Sequence, residues 1–262
     1  MRRSAAPGTP GTFNSTRSEI IVPVVECVGR KVVAPCTLGI DGAGYTRKSA
    51  TSSMNSKLEN GSTSAVIRPA TKHDAEQIAA VYAPYVTDTV ISFETEPPTA
   101  EEVRRRIEDT LQHYPWLVCE HQGWLLGYAY AAAHGSRAAY IWSVDVSVYV
   151  RRGAHRRGVG RALYTSLFAA LCLQGFYNAY AGATLPNPAS VGLHEAMGFR
   201  QVGVYRGVGY KMGAWHDVVW WHLPLRERVA DPDPPAALPS VVGSEEWEAA
   251  LRRGLPLLRS DP

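Results

Sequence analysis

The chain has 262 residues, 45% of them hydrophobic and 19% charged, with a formal net charge of +3. That length allows one large domain or two small ones, and the apolar share excludes wholesale disorder. Basic and acidic residues number 8 and 4 in residues 1–64, 14 and 13 in 65–224, and 5 and 7 in 225–262. The middle segment is therefore close to neutral. A nucleic-acid-binding domain carries its basic excess in the folded part, so that class starts behind the others.

Residues 1–64 are rich in Arg, Ser, Thr and Gly, poor in acids, and end in Asn60-Gly61-Ser62-Thr63-Ser64. They are expected to be a disordered extension. Their composition suits an organelle-targeting peptide as well as an extension ahead of a later start at Met54. The expected location is cytoplasmic, with targeting by residues 1–64 left open. The four cysteines include no CxxC pair, so neither a disulfide scaffold nor a structural zinc site is expected. Cys119 and Cys172 sit in apolar contexts and read as buried thiols. No apolar run approaches the roughly 18 residues of a membrane span, so no membrane partner is expected.

Residues 65–224 carry the periodicities of a folded domain. Val66-Ile67-Arg68 reads as a first strand, followed by a helix capped by Asp74 with Ile78, Val81 and Tyr82 on its buried face. Thr99-Ala100-Glu101-Glu102 is a capping box that opens a helix reaching about His113. Trp116–Glu120 and Trp124–Ala133 flank Gln122-Gly123 as a hairpin. Then come a strand at 140–150, a helix from about Gly160 to Gln174 and a strand at Phe176–Ala183. A short helix at Pro188–Met197 and strands near Phe199–Tyr205 and Ala214–Leu223 close the segment. The order predicts an α/β fold with a mixed, mostly antiparallel sheet flanked by helices. Residues 225–262 contain Asp231-Pro232-Asp233-Pro234-Pro235 and read as a mostly disordered tail. One short helix at Glu245–Arg253, capped by Ser244, is expected in it.

The chemistry gathers around the strand Ile141–Val150. Its alternation puts Trp142, Val144, Val146, Val148 and Val150 on one face and Ser143, Asp145, Ser147 and Tyr149 on the other. A carboxylate in the middle of a valine-rich strand is costly to bury unpaired. Asp145 therefore reads as an acid–base group in a polar cleft wall, against the plainer reading of a solvent-facing sheet surface. Directly after the strand, Arg151-Arg152-Gly153-Ala154-His155-Arg156-Arg157-Gly158-Val159-Gly160-Arg161 holds five arginines and no acid. Glycines at a helix mouth let backbone N–H groups approach an anion, and the helix dipole favours its charge. No Gly-Lys-Ser/Thr follows, and Leu163 occupies the third glycine position of a dinucleotide fingerprint. No HExxH spacing exists among the eight histidines, so no metal is expected. Two features stand apart: His134, near the end of a hairpin strand, could approach the cleft but has no assigned partner, and His216-Asp217 among tryptophans reads as strand packing or a dimer contact.

The strand, basic glycine turn and helix resemble motif A of the GCN5-related N-acetyltransferase (GNAT) superfamily. Leu185-Pro186-Asn187-Pro188 through Met197-Gly198-Phe199 resembles its motif B. An ordered set is similar to the phosphinothricin N-acetyltransferase family: Phe93-Glu94-Thr95-Glu96-Pro97, Tyr114-Pro115-Trp116, Ala139-Tyr140-Ile141-Trp142, Leu193-His194-Glu195 and Gly209-Tyr210-Lys211-Met212-Gly213-Ala214-Trp215-His216-Asp217. The resemblance covers roughly residues 66–224 and neither tail.

It implies a GNAT fold, acetyl-CoA as co-substrate, a small-molecule amine as acceptor and a homodimer. It implies a cofactor site of Val148, Val150, His155, Arg156, Arg157, Gly158, Val159, Gly160, Arg161 and Asn187. Phe93, Arg137, Tyr140, Ser147, Tyr149 and Thr184 would surround the acceptor. Asp145 falls where the family has a catalytic glutamate and His194 where it has a second catalytic candidate. Two departures stand out. His155 replaces the usual Arg or Gln, and Asp145 is one methylene short, which withdraws its carboxylate by about 1.5 Å. The implied reaction is acetylation of the α-amino group of phosphinothricin, methionine sulfoximine or a methionine sulfone-like molecule, by direct attack in a ternary complex. Alternatives are an acetyltransferase for protein N-termini or polyamines, and a non-enzymatic CoA sensor.

Overall fold

The computed structural model describes residues 65–259, so the expectations for 1–64 lie outside it. The strands are β1 (Val66–Pro69), β2 (Trp116–His121), β3 (Trp124–Ala133), β4 (Ser143–Val150), β5 (Asn178–Thr184), β6 (Arg200–Lys211) and β7 (Ala214–Pro224). The helices are α1 (Ala75–Thr87), α2 (Ala100–Thr110), α3 (Val159–Gln174), α4 (Pro188–Ala196), α5 (Leu238–Val241) and α6 (Glu245–Arg252). The seven strands form one sheet in the order β1-β2-β3-β4-β5-β7-β6. Only β4 and β5 run parallel, and α3 makes the crossover between them. This is the mixed, mostly antiparallel sheet that the element order predicts.

Local chemistry sets most boundaries as expected. The Thr99 hydroxyl accepts from the Glu102 N–H and the Glu102 carboxylate accepts from the Thr99 N–H, closing the capping box of α2. Gln122 and Gly123 both take positive φ, 53° and 78°, the pattern of a tight hairpin turn matched to strand twist. Two expectations are corrected. Asp74 does not cap α1 with its side chain. Thr71 caps a short 3-10 turn before it, and Asp74 instead accepts from the Thr71 N–H and from both arms of the Arg68 guanidinium, at 2.8 Å each. The strand expected from residue 140 begins only at Ser143, because residues 138–140 form a 3-10 turn. There the Trp142 carbonyl accepts from the N–H groups of Tyr177 and Asn178, and the Trp142 indole donates to the Asp233 carbonyl.

The sheet has an apolar layer on each face. On one, Val144, Val146, Val148 and Val150 pack with Leu163, Leu167 and Leu171 of α3 and Leu193 of α4. On the other, Tyr128, Tyr130 and Tyr149 pack with Ile78, Val81 and Tyr82 of α1 and Val103 and Ile107 of α2. Cys119 is fully buried, which pushes its thiol up to about 12.

The C-terminal segment is not the mostly disordered tail that its prolines predict. Residues 225–259 return across α3, and α6 presents Trp247, Ala250 and Leu251 to the core, exposed by only 1%, 5% and 4%. Ser244 caps α6 as expected, accepting from the Trp247 N–H. The Ser166 hydroxyl on α3 donates to the Leu251 carbonyl and accepts from the Gly254 N–H. One apolar helical face, short but rich in large side chains, suffices to fix the segment.

Candidate active site

The site is built where β4 and β5 part. Their parallel pairing covers only Ser143–Asp145 against Asn178–Tyr180. Beyond it β5 pairs with β7 and β4 keeps only β3, so the two strands splay and the edge of β4 after Asp145 carries no strand partner. Asp145 stands at the apex of that splay. Across β3 it faces Ala132, whose small side chain leaves room on the same face.

A cavity of about 580 Å³ opens there, between the sheet and helices α1 and α2. Asp145 and Ser147 of β4, Tyr128 and Tyr130 of β3, Trp116 of β2 and Arg106 of α2 line it. Arg106 makes an ion pair with Glu94 at 2.8 Å, and Tyr82 donates to the same carboxylate at 3.1 Å. Burial drives the Tyr130 phenol up to about 12, although its hydrogen bond with Ser147 opposes the shift. The cavity is thus aromatic, with three carboxylates in its lining, Asp145, Asp109 and Glu94, the last paired with Arg106.

Asp145 is not alone. His134, the residue just past β3, places Nδ1 2.7 Å from Asp145 Oδ1. The His134 ring stacks on Tyr180, centroids 4.1 Å apart and planes 16° apart, and meets the edge of Tyr140 at 5.8 Å. Burial raises the Asp145 carboxyl above its ordinary value, and the hydrogen bond from His134 works against that rise. His134 is the functional candidate that composition left without a partner. Only the strand register, with Ala132 opposite Asp145, brings it into place.

Other expected acceptor residues divide. Arg137 and Tyr140 lie exposed on the turn before β4, and the Arg137 guanidinium has no partner among the described residues. Ser147 lines the cavity. Tyr149 does not: it is fully buried two residues further along, edge-on to Tyr82 and Tyr85. Phe93 packs against the β6–β7 hairpin, where a side chain on Gly209 would lie only 2.2 Å from its ring. Thr184 ends β5 buried, donating to the Ile91 carbonyl at 3.4 Å. His194 is likewise a correction. It has no exposure, its Nδ1 lies 2.8 Å from the Ser190 carbonyl, and its ring lies parallel to Trp221. Burial lowers it to about 4, so at neutral pH it is an uncharged core residue, and it is not among the residues that line the cavity.

The expected anion site is the turn that opens α3. Gly158 caps α3 with φ of 81° and no side-chain cap hydrogen bond, and Arg156 before it also takes a positive φ of 63°. The arginine run is divided. Arg151 donates to the Leu125 carbonyl and lies over Trp124, and Arg152 pairs with Asp88, both directed away from the helix mouth. Arg156, Arg157 and Arg161 remain near it. His155 sits 3.3 Å from both the Tyr85 hydroxyl and the Val150 carbonyl. Val148 and Val150 are core residues on the stretch of β4 that β5 does not pair, and the Val150 carbonyl accepts from the Tyr85 hydroxyl at 2.6 Å. Asn187 caps α4, accepting from the Ser190 N–H at 2.9 Å. The C-terminal segment braces this turn: the Arg259 N–H donates to the Arg157 carbonyl at 3.0 Å, and the Leu257 carbonyl occupies the space beside Gly158.

A splayed parallel strand pair above a glycine turn matches a known family. Residues 67–220 match the model of the acetyltransferase (GNAT) domain. The chain belongs to the GNAT acetyltransferases. Within them it falls in the phosphinothricin N-acetyltransferase family and is an N-acetyltransferase by descent. A phosphinothricin N-acetyltransferase of Streptomyces coelicolor is 41% identical over 170 residues, covering 63% of this chain and 99% of that one. An L-methionine sulfoximine/L-methionine sulfone acetyltransferase of Pseudomonas aeruginosa is 34% identical, covering 62% and 95%. The crystal structure of a phosphinothricin acetyltransferase from Sinorhizobium meliloti in complex with AcCoA is 32% identical. It superposes with a TM-score of 0.62 over 66% of this chain and 94% of its own. Among the described residues no cluster of three metal-binding side chains occurs, and no helix is long and apolar enough to cross a membrane.

Proposed function

We propose that this GNAT acetyltransferase transfers the acetyl group of acetyl-CoA to the α-amino group of a small amino acid or analogue of the phosphinothricin or methionine sulfoximine and sulfone kind. The observation that carries this reading is the position of Asp145, on the wall of the cavity and at the apex of the β4–β5 splay.

The residues fit the co-substrate. The mouth of α3, which has no side-chain cap, would offer the backbone N–H groups of Gly158, Val159 and Gly160 to a pyrophosphate, and Arg156, Arg157 and Arg161 add charge. His155 and Asn187 flank that position, and the unpaired edge of β4 through Val148 and Val150 offers main-chain groups to an extended amide arm. Acetyl-CoA supplies the thioester when bound. On the acceptor side, the unpaired fork of Arg137, with Tyr140 beside it, suits a substrate carboxylate or phosphinyl group. Phe93 rests on Gly209 of the β6–β7 hairpin, and Thr184 fixes the loop at Ile91. Asp145 provides the negative charge that draws the ammonium group in and anchors the acid–base unit that takes its proton. The freed amine then attacks directly, and a backbone N–H on the open edge of β4 receives the developing oxyanion. Most of the acceleration comes from holding the two reactants together.

A homodimer belongs to the same reading. Val202, Tyr205, Val208, Tyr210 and Trp215 on the β6–β7 hairpin are each at least half exposed, an apolar surface suited to a second copy.

Direct attack predicts that initial rates, measured while both substrates are varied, give intersecting double-reciprocal lines. Parallel lines would mean an acetylated enzyme and would overturn the ternary-complex mechanism.

A further inference from the structure

Resting on the reading of the cavity as an acceptor site, we propose that the atom receiving the ammonium proton is Nε2 of His134, with Asp145 holding the opposite ring nitrogen. Asp145 cannot reach as far as a glutamate from the same strand position. His134 supplies the missing length. Its Nδ1 is 2.7 Å from Asp145 Oδ1, while Nε2 has no hydrogen-bond partner among the described residues. The side chain keeps 27% of its surface exposed, against 18% for Asp145. Tyr180 fixes the plane of the ring from below, and Tyr180 is the residue paired with Asp145 at the last rung of the β4–β5 ladder. His134 therefore lies over the apex of the splay, where amine and thioester would meet.

The step balances simply. The ammonium N–H breaks and a proton bonds to Nε2. The imidazolium so formed keeps its Nδ1–H on the Asp145 carboxylate, which offsets the new charge. The proton then leaves Nε2 to water. The groups facing His134 are Asp145 on β4, Tyr140 on the preceding turn and Tyr180 on β5. Behind Tyr180 stands His222 on β7, which lies 3.0 Å from Asn178 Oδ1 with Arg228 beside it.

The test compares wild type, His134→Asn and His134→Ala with acetyl-CoA and methionine sulfoximine across pH. The expected result is a kcat about 10²–10⁴-fold lower in His134→Asn. KM for acetyl-CoA should be unchanged, the acidic limb of the kcat/KM profile should be lost, and added imidazole should partly restore His134→Ala. A His134→Asn enzyme that keeps wild-type kcat and the same acidic limb overturns the proposal and leaves Asp145 as sole base. A folded wild-type enzyme inert toward every amine overturns instead the acetyl-transfer reading, and this assignment falls with it.

Discussion

Nδ1 of His134 lies 2.7 Å from Oδ1 of Asp145, so a residue at the end of β3 and one inside β4 share a single ionisable unit. Replacing Asp145 by Asn removes the charge and presents an amide in its place. The expected result is a kcat/KM about 10²–10⁴-fold lower with acetyl-CoA binding retained, measured by steady-state kinetics and calorimetry. Burial raises the Asp145 carboxyl. Its useful, ionised form is therefore lost on acidification at a pH above the ordinary 3.8 of an aspartate. The acidic limb of wild type should move in Asp145→Asn, because the carboxylate that ionises together with His134 is gone.

His194 gives a prediction about stability. It holds about 4 in the folded protein against an ordinary 6.5, because burial disfavours its charged form. Between those values the unfolded chain binds a proton that the folded chain does not. Stability from this group is therefore complete above pH 6.5 and lost as pH falls toward 4, by up to on the order of 3 kcal/mol. His194→Phe should flatten the dependence of Tm on pH over that window, while leaving most of the activity at pH 7.

Much of this was legible in the sequence, and its limits are physical. Capping boxes, hairpin turn residues and hydrophobic period act over a few residues, so Thr99, Gln122-Gly123 and the α3 pattern announce themselves. Asp145 was visible because a carboxylate interrupts an alternating valine strand. His134 was not, since its partner depends on which residue of β3 lies opposite which residue of β4. Tyr149 shares a face with Asp145, but alternation says nothing of depth. The packed tail hid behind its prolines, because a single helical face with Trp247 at its centre outweighs the linker before it.

The tail yields the next prediction. Trp247→Ala should lower stability by about 3–5 kcal/mol in denaturant unfolding, the usual cost of emptying a fully buried aromatic site. Gly158→Ala should be destabilising for two reasons: its φ of 81° and the Leu257 carbonyl, 2.0 Å from where the new carbon would lie. In a chain ending at Gly243 the second cost vanishes. The penalty for Gly158→Ala, measured relative to each parent, should then shrink to backbone strain of about 1–2 kcal/mol.

The hairpin surface is tested by mass in solution. Light scattering should give a dimer for the wild type and a monomer for Val208→Asp combined with Tyr210→Asp, two exposed positions on β6. Both proteins should melt at similar temperatures at high dilution, since neither side chain belongs to the monomer's core.

The most direct test of acetyl transfer is release of the CoA thiol by the wild-type protein. Acetyl-CoA is supplied with phosphinothricin, with methionine sulfoximine, with a polyamine or with no amine. Rapid thiol release with the two amino-acid analogues, absent without amine and slow with the polyamine, is the predicted result. Tight acetyl-CoA binding with no thiol released by any amine would contradict it and make the protein a CoA sensor.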